Sequence, residues 1–252
     1  MPPRPHEPTV LVMSERATAP ATDGRPATAV PPPALPKSRP DNEEVLAVAD
    51  VKKSFRRGMW PSRRRVDVLN GVDLTVRSGE LVGVVGENGS GKSTLMKIIV
   101  GLLDRDSGTV ERSGILGYCP QLPLLWDKLT VAEHFELYAR AYGLSEKKAN
   151  EALDELLDAL QFGRYRDYRI EDLSGGTRQK VNLAISLMHE PDLLLLDEPY
   201  TGFDWETYLR FWELSQSRRD RGMAILIVTH MITENERLDR VINLRDGRIE
   251  SK

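Results

Sequence analysis

Gly86-Glu87-Asn88-Gly89-Ser90-Gly91-Lys92-Ser93-Thr94 is the densest run of chemistry-bearing residues in the chain. Its glycines leave backbone N–H groups free to face an anion without side-chain obstruction. Lys92 follows at the spacing that brings a cation to the outer phosphates of a nucleotide, and the Ser93 hydroxyl is placed to ligate Mg²⁺. The run follows the apolar stretch Leu81–Val85 and leads into a helical pattern over Lys92–Val100, the strand–loop–helix context that this chemistry requires. A glycine-rich surface turn with a stray lysine needs neither flank.

Four further groups belong with it. Leu193-Leu194-Leu195-Leu196 runs into Asp197-Glu198, so an acid pair stands at the end of a buried strand. There Asp197 suits a Mg²⁺ shell and Glu198 is a candidate to polarise an attacking water. His230 ends the next apolar run, Ala224–Val228, and as a neutral imidazole would sense a terminal phosphate. Gln121, after Tyr118-Cys119-Pro120, offers an amide carbonyl to metal or water and cannot ionise. Leu173-Ser174-Gly175-Gly176-Thr177 is a second glycine-rich helix start with backbone donors to spare. The first loop already wraps the phosphates, so the economical reading gives Ser174, Gly175 and Gly176 a nucleotide held by another copy of the chain.

The elements that must position these residues are legible in outline. Val45–Val51 and Val66–Val76 read as strands, the second broken at Asn70-Gly71. Leu81–Val85, Leu193–Leu196 and Ala224–Val228 are apolar on both faces, as strands of a helix-covered parallel sheet are. Thr130 with Glu133 forms a capping-box pattern, and Leu129, Ala132, Phe135, Leu137, Tyr138 and Ala141 recur at helical spacing. Ser145 caps a second helix with Ala149, Leu153, Leu156, Leu157 and Leu160 on its apolar face. A third helix follows Thr177. Val241–Arg245 and Arg248–Glu250 read as a hairpin turned at Asp246-Gly247.

Composition sets the outer limits. The 252 residues carry a formal charge of −3, which predicts no general attraction to nucleic acid. One cysteine, Cys119, rules out an internal disulfide framework. No run of about eighteen apolar residues exists to span a bilayer, so a membrane role needs a partner. Residues 1–44 are rich in proline and read as a disordered tail. The foldable part is expected to be 45–252, with a helical insert over about 122–172. Between the first two strands lies a basic stretch, Arg56 to Arg65.

Together the motifs resemble the ATP-binding cassette family. In the family's order the chain has a phosphate loop (Gly86–Thr94), a glutamine loop (Gln121), a signature loop (Leu173–Thr177), an acidic strand (Leu193–Glu198), an aspartate loop (Thr201–Asp204) and a switch histidine (His230). The resemblance implies an α/β fold: a P-loop core with a parallel sheet, an N-terminal antiparallel β subdomain and a helical insert subdomain. It implies hydrolysis of Mg-ATP by Lys92, Ser93, Asp197 and Glu198, with two cassettes head to tail, in the simplest case a homodimer. Asp204 would link the two sites, and Phe55 stands where the family places an aromatic against adenine. Thr177 departs from the glutamine common at that point, leaving the backbone-bearing positions intact. The wording around Leu129–His134 and Thr177–Lys180 is similar to the branch that exports drugs, lipids or polymers. That branch implies a separate transmembrane permease and a place on the cytoplasmic face of the membrane. The rival expectation is a soluble cassette in an assembly such as iron–sulfur cluster biogenesis.

Overall fold

The computed structural model describes residues 42–58, 64–230 and 235–250. Most of the proline-rich stretch, the centre of the basic stretch (59–63) and residues 231–234 lie outside them.

Two sheets carry the architecture. The first is antiparallel, in the order β2-β1-β4, from β1 (Glu44–Arg57), β2 (Arg64–Arg77) and β4 (Ser107–Arg112). The second has the order β5-β6-β7-β3-β8-β9, from β3 (Leu81–Val85), β5 (Leu116–Cys119), β6 (Leu193–Asp197), β7 (Ala224–Thr229), β8 (Arg240–Arg245) and β9 (Arg248–Glu250). Its first five strands are parallel neighbours, and β9 alone runs antiparallel, against β8.

The apolar strands split their side chains by parity, as a pleated strand must. Leu194, Leu196, Ile225 and Ile227 face one core, with helices α2 (Val131–Ala141), α3 (Glu146–Ala159), α4 (Gly175–Leu187) and α5 (Trp205–Asp220). Leu193, Leu195, Leu226 and Val228 face the other, under helix α1 (Lys92–Val100) and the antiparallel sheet. The sheet is therefore covered on both faces, which is why these strands read as unbroken leucine, isoleucine and valine.

Local signals account for most boundaries. The Thr130 hydroxyl accepts from Glu133 N–H at 3.2 Å while the Glu133 carboxylate accepts from Thr130 N–H at 2.7 Å, a complete capping box. Ser145, Ser174 and Asp204 cap α3, α4 and α5 in the same sense.

Three expectations need correction. The first two strands are longer than their apolar alternation, because Arg56 and Arg57 pair with Arg65 and Arg64 across the ladder. The second strand also runs on through Asn70-Gly71, but the ladder is irregular there: it steps from Val51–Val72 to Lys52–Asn70 past Gly71, which sits at φ 89°. On α2 the buried face is Val131, His134, Phe135 and Ala139, whereas Leu137 is exposed. A histidine fully satisfied by backbone takes the place that a hydrophobicity count assigns to leucine. Helix α5 was not anticipated, since its sequence mixes aromatic and charged residues without a clean stripe.

Candidate nucleotide site

The parallel register brings the motifs to one sheet edge. Val85 pairs with Thr229, Asp197 with Val228, and Cys119 with Leu196. The carboxyl ends of β5, β6, β7 and β3 therefore deliver Gln121, the acid pair, His230 and Gly86 side by side, where ligands of open α/β sheets bind.

The phosphate loop is built as an anion cradle. Gly91 is the N-cap of α1 at φ 108°, and no side chain caps that helix end, so its first N–H groups stay open. A Cβ at Gly91 would meet Leu69 Cδ2 at 2.7 Å and Val68 O at 2.9 Å; one at Gly86 would meet Leu244 O at 2.2 Å. At Gly89, on the exposed crest, nothing lies within 4 Å, which leaves room for a ligand. Glu87 and Asn88 are exposed on the same crest, whereas Ser90 is buried and its Oγ has no hydrogen-bond partner within the described chain. Lys92 folds back on its own loop and donates to Gly86 O at 2.6 Å and Glu87 O at 2.9 Å. Burial pulls its ammonium below the ordinary value, against the attraction of Glu198 and Asp197. Thr94, half-buried, continues the first turn of α1.

Asp197 is buried, and its Oδ1 has no hydrogen-bond partner within the described chain. Burial pushes its carboxyl above the usual range and the charge of Glu198 adds to that; the Ser93 hydroxyl, Lys97 and Lys92 oppose it. A buried carboxylate oxygen without a partner, beside a serine hydroxyl, fits a hard cation that keeps most of its water. No group of three His, Cys, Asp or Glu among the described residues forms a protein-only cage. A Mg²⁺ carried in with nucleotide phosphates suits this donor set, with Ser93 and Asp197 holding it.

Glu198 stands between two polar side chains. Gln121 Nε2 donates to Glu198 Oε2 at 3.0 Å, and His230 Nδ1 lies 3.2 Å from Oε1. The glutamine amide nitrogen thus addresses the carboxylate; the expected ligation of metal by its carbonyl is a separate matter. Glu198 sits at φ 48°, a left-handed conformation that a glutamate adopts only under constraint. Its N–H donates to Val228 O at 2.9 Å, and its carbonyl accepts from Thr201 N–H and Oγ1. Tyr200, absent from the sequence reading, supplies another tie: its hydroxyl donates to Thr229 Oγ1 at 2.7 Å, one residue before His230. Its phenol is pushed up to about 12, chiefly by burial. An aromatic beside a proline carries no catalytic signal, so only the fold reveals it.

The second glycine-rich start is separate from this cluster. Ser174 Oγ accepts from Thr177 N–H at 3.2 Å, while Ser174 and Gly175 are exposed and nothing lies within 4 Å of a Cβ at Gly175. Gly176 packs against the aspartate loop so closely that a Cβ would meet Gly202 O at 2.3 Å. Asp204 turns one oxygen inward to cap α5, accepting from Thr207 N–H at 2.8 Å, and that bond holds its carboxyl below the usual range. Phe55 lies on β1 opposite Val66, part-exposed, with Lys53 Nζ 5.6 Å from its ring centre. The C-terminal hairpin also buttresses the phosphate loop: Gly247 N–H donates to Ser90 O at 3.2 Å, and Asn70 N–H to Gly247 O at 2.8 Å.

Comparison with known proteins agrees with this geometry. The family model described as ABC transporter matches residues 69–201. A Nod factor export ATP-binding protein I of Burkholderia lata is 36% identical over 194 residues, covering 72% of this chain and 64% of its own length. The mouse ABC-type organic anion transporter ABCA8A is 38% identical over 210 residues, 79% of this chain but 13% of its own length. The chain thus spans less than two thirds of these relatives. A dimeric ATP-binding cassette solved in a post-hydrolysis state with ADP and Pi superposes with TM-score 0.74 at 26% identity, covering 82% of this chain and 97% of that one. With its motifs gathered at one sheet edge and its relatives of this kind, the chain belongs to the family of ABC transporter ATP-binding domains.

Proposed function

We propose that this chain binds and hydrolyses ATP as the cassette subunit of an exporter whose membrane part is a separate permease. The observation that carries the chemistry is the convergence on Glu198 of Gln121 and His230, beside the open amides of the phosphate loop. The loop amides and Lys92 hold the phosphates once Lys92 exchanges Gly86 O and Glu87 O for phosphate oxygens. Ser93 and Asp197 hold Mg²⁺, which neutralises charge on the transferred group when bound. Glu198 orients and deprotonates the attacking water, and His230 and Gln121 fix the carboxylate in place.

Ser174 and Gly175 are exposed at the start of α4 and share no described hydrogen bond with this cluster, and on this reading each copy carries two half-sites. A second copy, placed head to tail, completes both. The dimeric cassette and the export ATP-binding protein among the similar proteins support that arrangement and the export role. No helix of the described residues is long and apolar enough to cross a membrane. We place the chain at the cytoplasmic face, held there by that permease.

Glu198→Gln is the direct test. It should still bind Mg-ATP and dimerise, while turnover falls about a hundredfold or more. Turnover at the parent rate would remove Glu198 from the mechanism. Co-purification decides the setting: capture of an integral membrane protein supports export, and capture of a soluble assembly overturns it.

A further inference from the structure

Trp205 has no part in the chemistry above, yet it is 68% exposed, more than any other aromatic among the described residues. Its ring is held in place. It stacks on Tyr208 with centroids 5.6 Å apart and planes 22° apart, and Tyr200 meets Tyr208 edge-on at 5.3 Å. An indole fixed outward in this way is pre-organised, so burying it against a partner costs little ordering.

Its place in the chain says which partner. The segment from Glu198 to Asp204 begins in this chain's own catalytic cluster. It then passes Gly202, whose carbonyl lies against Gly176 of the half-site offered to a second copy. Asp204 caps α5, and Trp205 is the next residue. A segment that touches both sites runs along the boundary between copies, and Trp205 stands at its end. Its chain neighbours Asp204 and Glu206 are exposed carboxylates, and both act on the Lys180 ammonium. An aromatic anchor inside a polar rim is the usual anatomy of a protein interface.

We propose that Trp205 anchors the contact with a second copy of this chain and is buried when ATP closes the pair. By two-fold symmetry each copy contributes the same ring. The proposal rests on the shared-site reading of Ser174–Gly176.

The test uses the full chain carrying Glu198→Gln, with Mg-ATP, in sedimentation experiments over a range of concentrations. Adding Trp205→Ala should weaken dimerisation about tenfold or more, and Trp205→Phe should recover most of it. In the unsubstituted-Trp205 chain, acrylamide quenching of tryptophan fluorescence should drop on closure, and the Trp205→Phe chain should lose that drop. Equal dimerisation with Trp205→Ala, or quenching unaltered by closure, overturns the anchor while leaving shared sites intact. A Glu198→Gln chain that stays monomeric with Mg-ATP at every concentration overturns both.

Discussion

Glu198 is tied to Gln121 and His230 by its side chain and to Val228 and Thr201 by its backbone. Tyr200 shows how far this goes, because one hydroxyl joins the loop after Glu198 to the strand end before His230. Tyr200→Phe removes that bond and keeps the ring. Its expected effect is a fall in kcat of about fivefold, the worth of one hydrogen bond, with KM for ATP unchanged. A variant that instead changes KM would place Tyr200 in binding. Asp197 gives a second prediction, with a sign set by burial. Its folded pKa is raised, so its stability contribution is present at low pH and is lost as pH rises through the folded value. With chelator and no nucleotide, Asp197→Asn should melt above the parent at pH 8, and the gap should close towards acid. A pH-independent gap would mean that the carboxylate's charge is not what costs stability there. The same variant should lose Mg-dependent hydrolysis.

At the scale of elements, two histidines pin helices rather than perform chemistry. His134 on α2 lies 2.9 Å from Thr130 O through Nδ1 and accepts the Trp126 N–H at 2.9 Å through Nε2, which fixes it neutral. It thereby fastens the segment after Gln121 to the helical insert; Tyr138 adds a bond to Leu124 O at 3.2 Å. His189, after α4, stacks on Tyr142 at 3.9 Å and contacts Leu116 O at 3.0 Å. Burial lowers the pKa of both. A base with a depressed folded pKa is protonated first in the unfolded chain. Stability should therefore hold at neutral pH and fall below about pH 6.5, by at most about 1.4 kcal/mol per pH unit for each imidazole. Thermal melts from pH 8 to 5 check this, and His134→Gln should flatten part of the slope. An unchanged slope would assign the acid loss to other groups.

For the whole molecule, the proposed head-to-tail pairing implies that no single copy holds a complete site. Gly176→Asp cannot fit against Gly202 O and damages the half-site offered to the partner, whereas Lys92→Ala damages the chain's own. Each variant alone should be inactive. Mixed in equal amounts, they form some pairs with one doubly broken site and one intact site. Hydrolysis in the mixture should recover to roughly a quarter of the parent: half of random pairs are mixed, each with one working site of two. A mixture as dead as either component would show that the sites do not act singly, and full activity in either variant alone would end the shared-site account.

How much of this was legible beforehand follows from the range of the forces involved. The phosphate loop, the acid pair, the buried strands and the helix caps are local: glycine freedom, strand parity and capping act within a few residues, and the sequence displays them. The exit of α5 from its aromatic segment, the buried histidine of α2 and the full length of β1 and β2 were not visible. They depend on cross-strand pairing and on backbone partners supplied from elsewhere. Residue types and their order along the chain carry the chemistry and the succession of its motifs. Packing supplies the rest: Gln121 and His230 both meet Glu198, Tyr200 reaches Thr229, the C-terminal hairpin props the phosphate loop, and Gly176 leans on Gly202. Those are contacts between strand ends and loops far apart in the chain, set by the parallel register of one sheet, and no local pattern encodes that register.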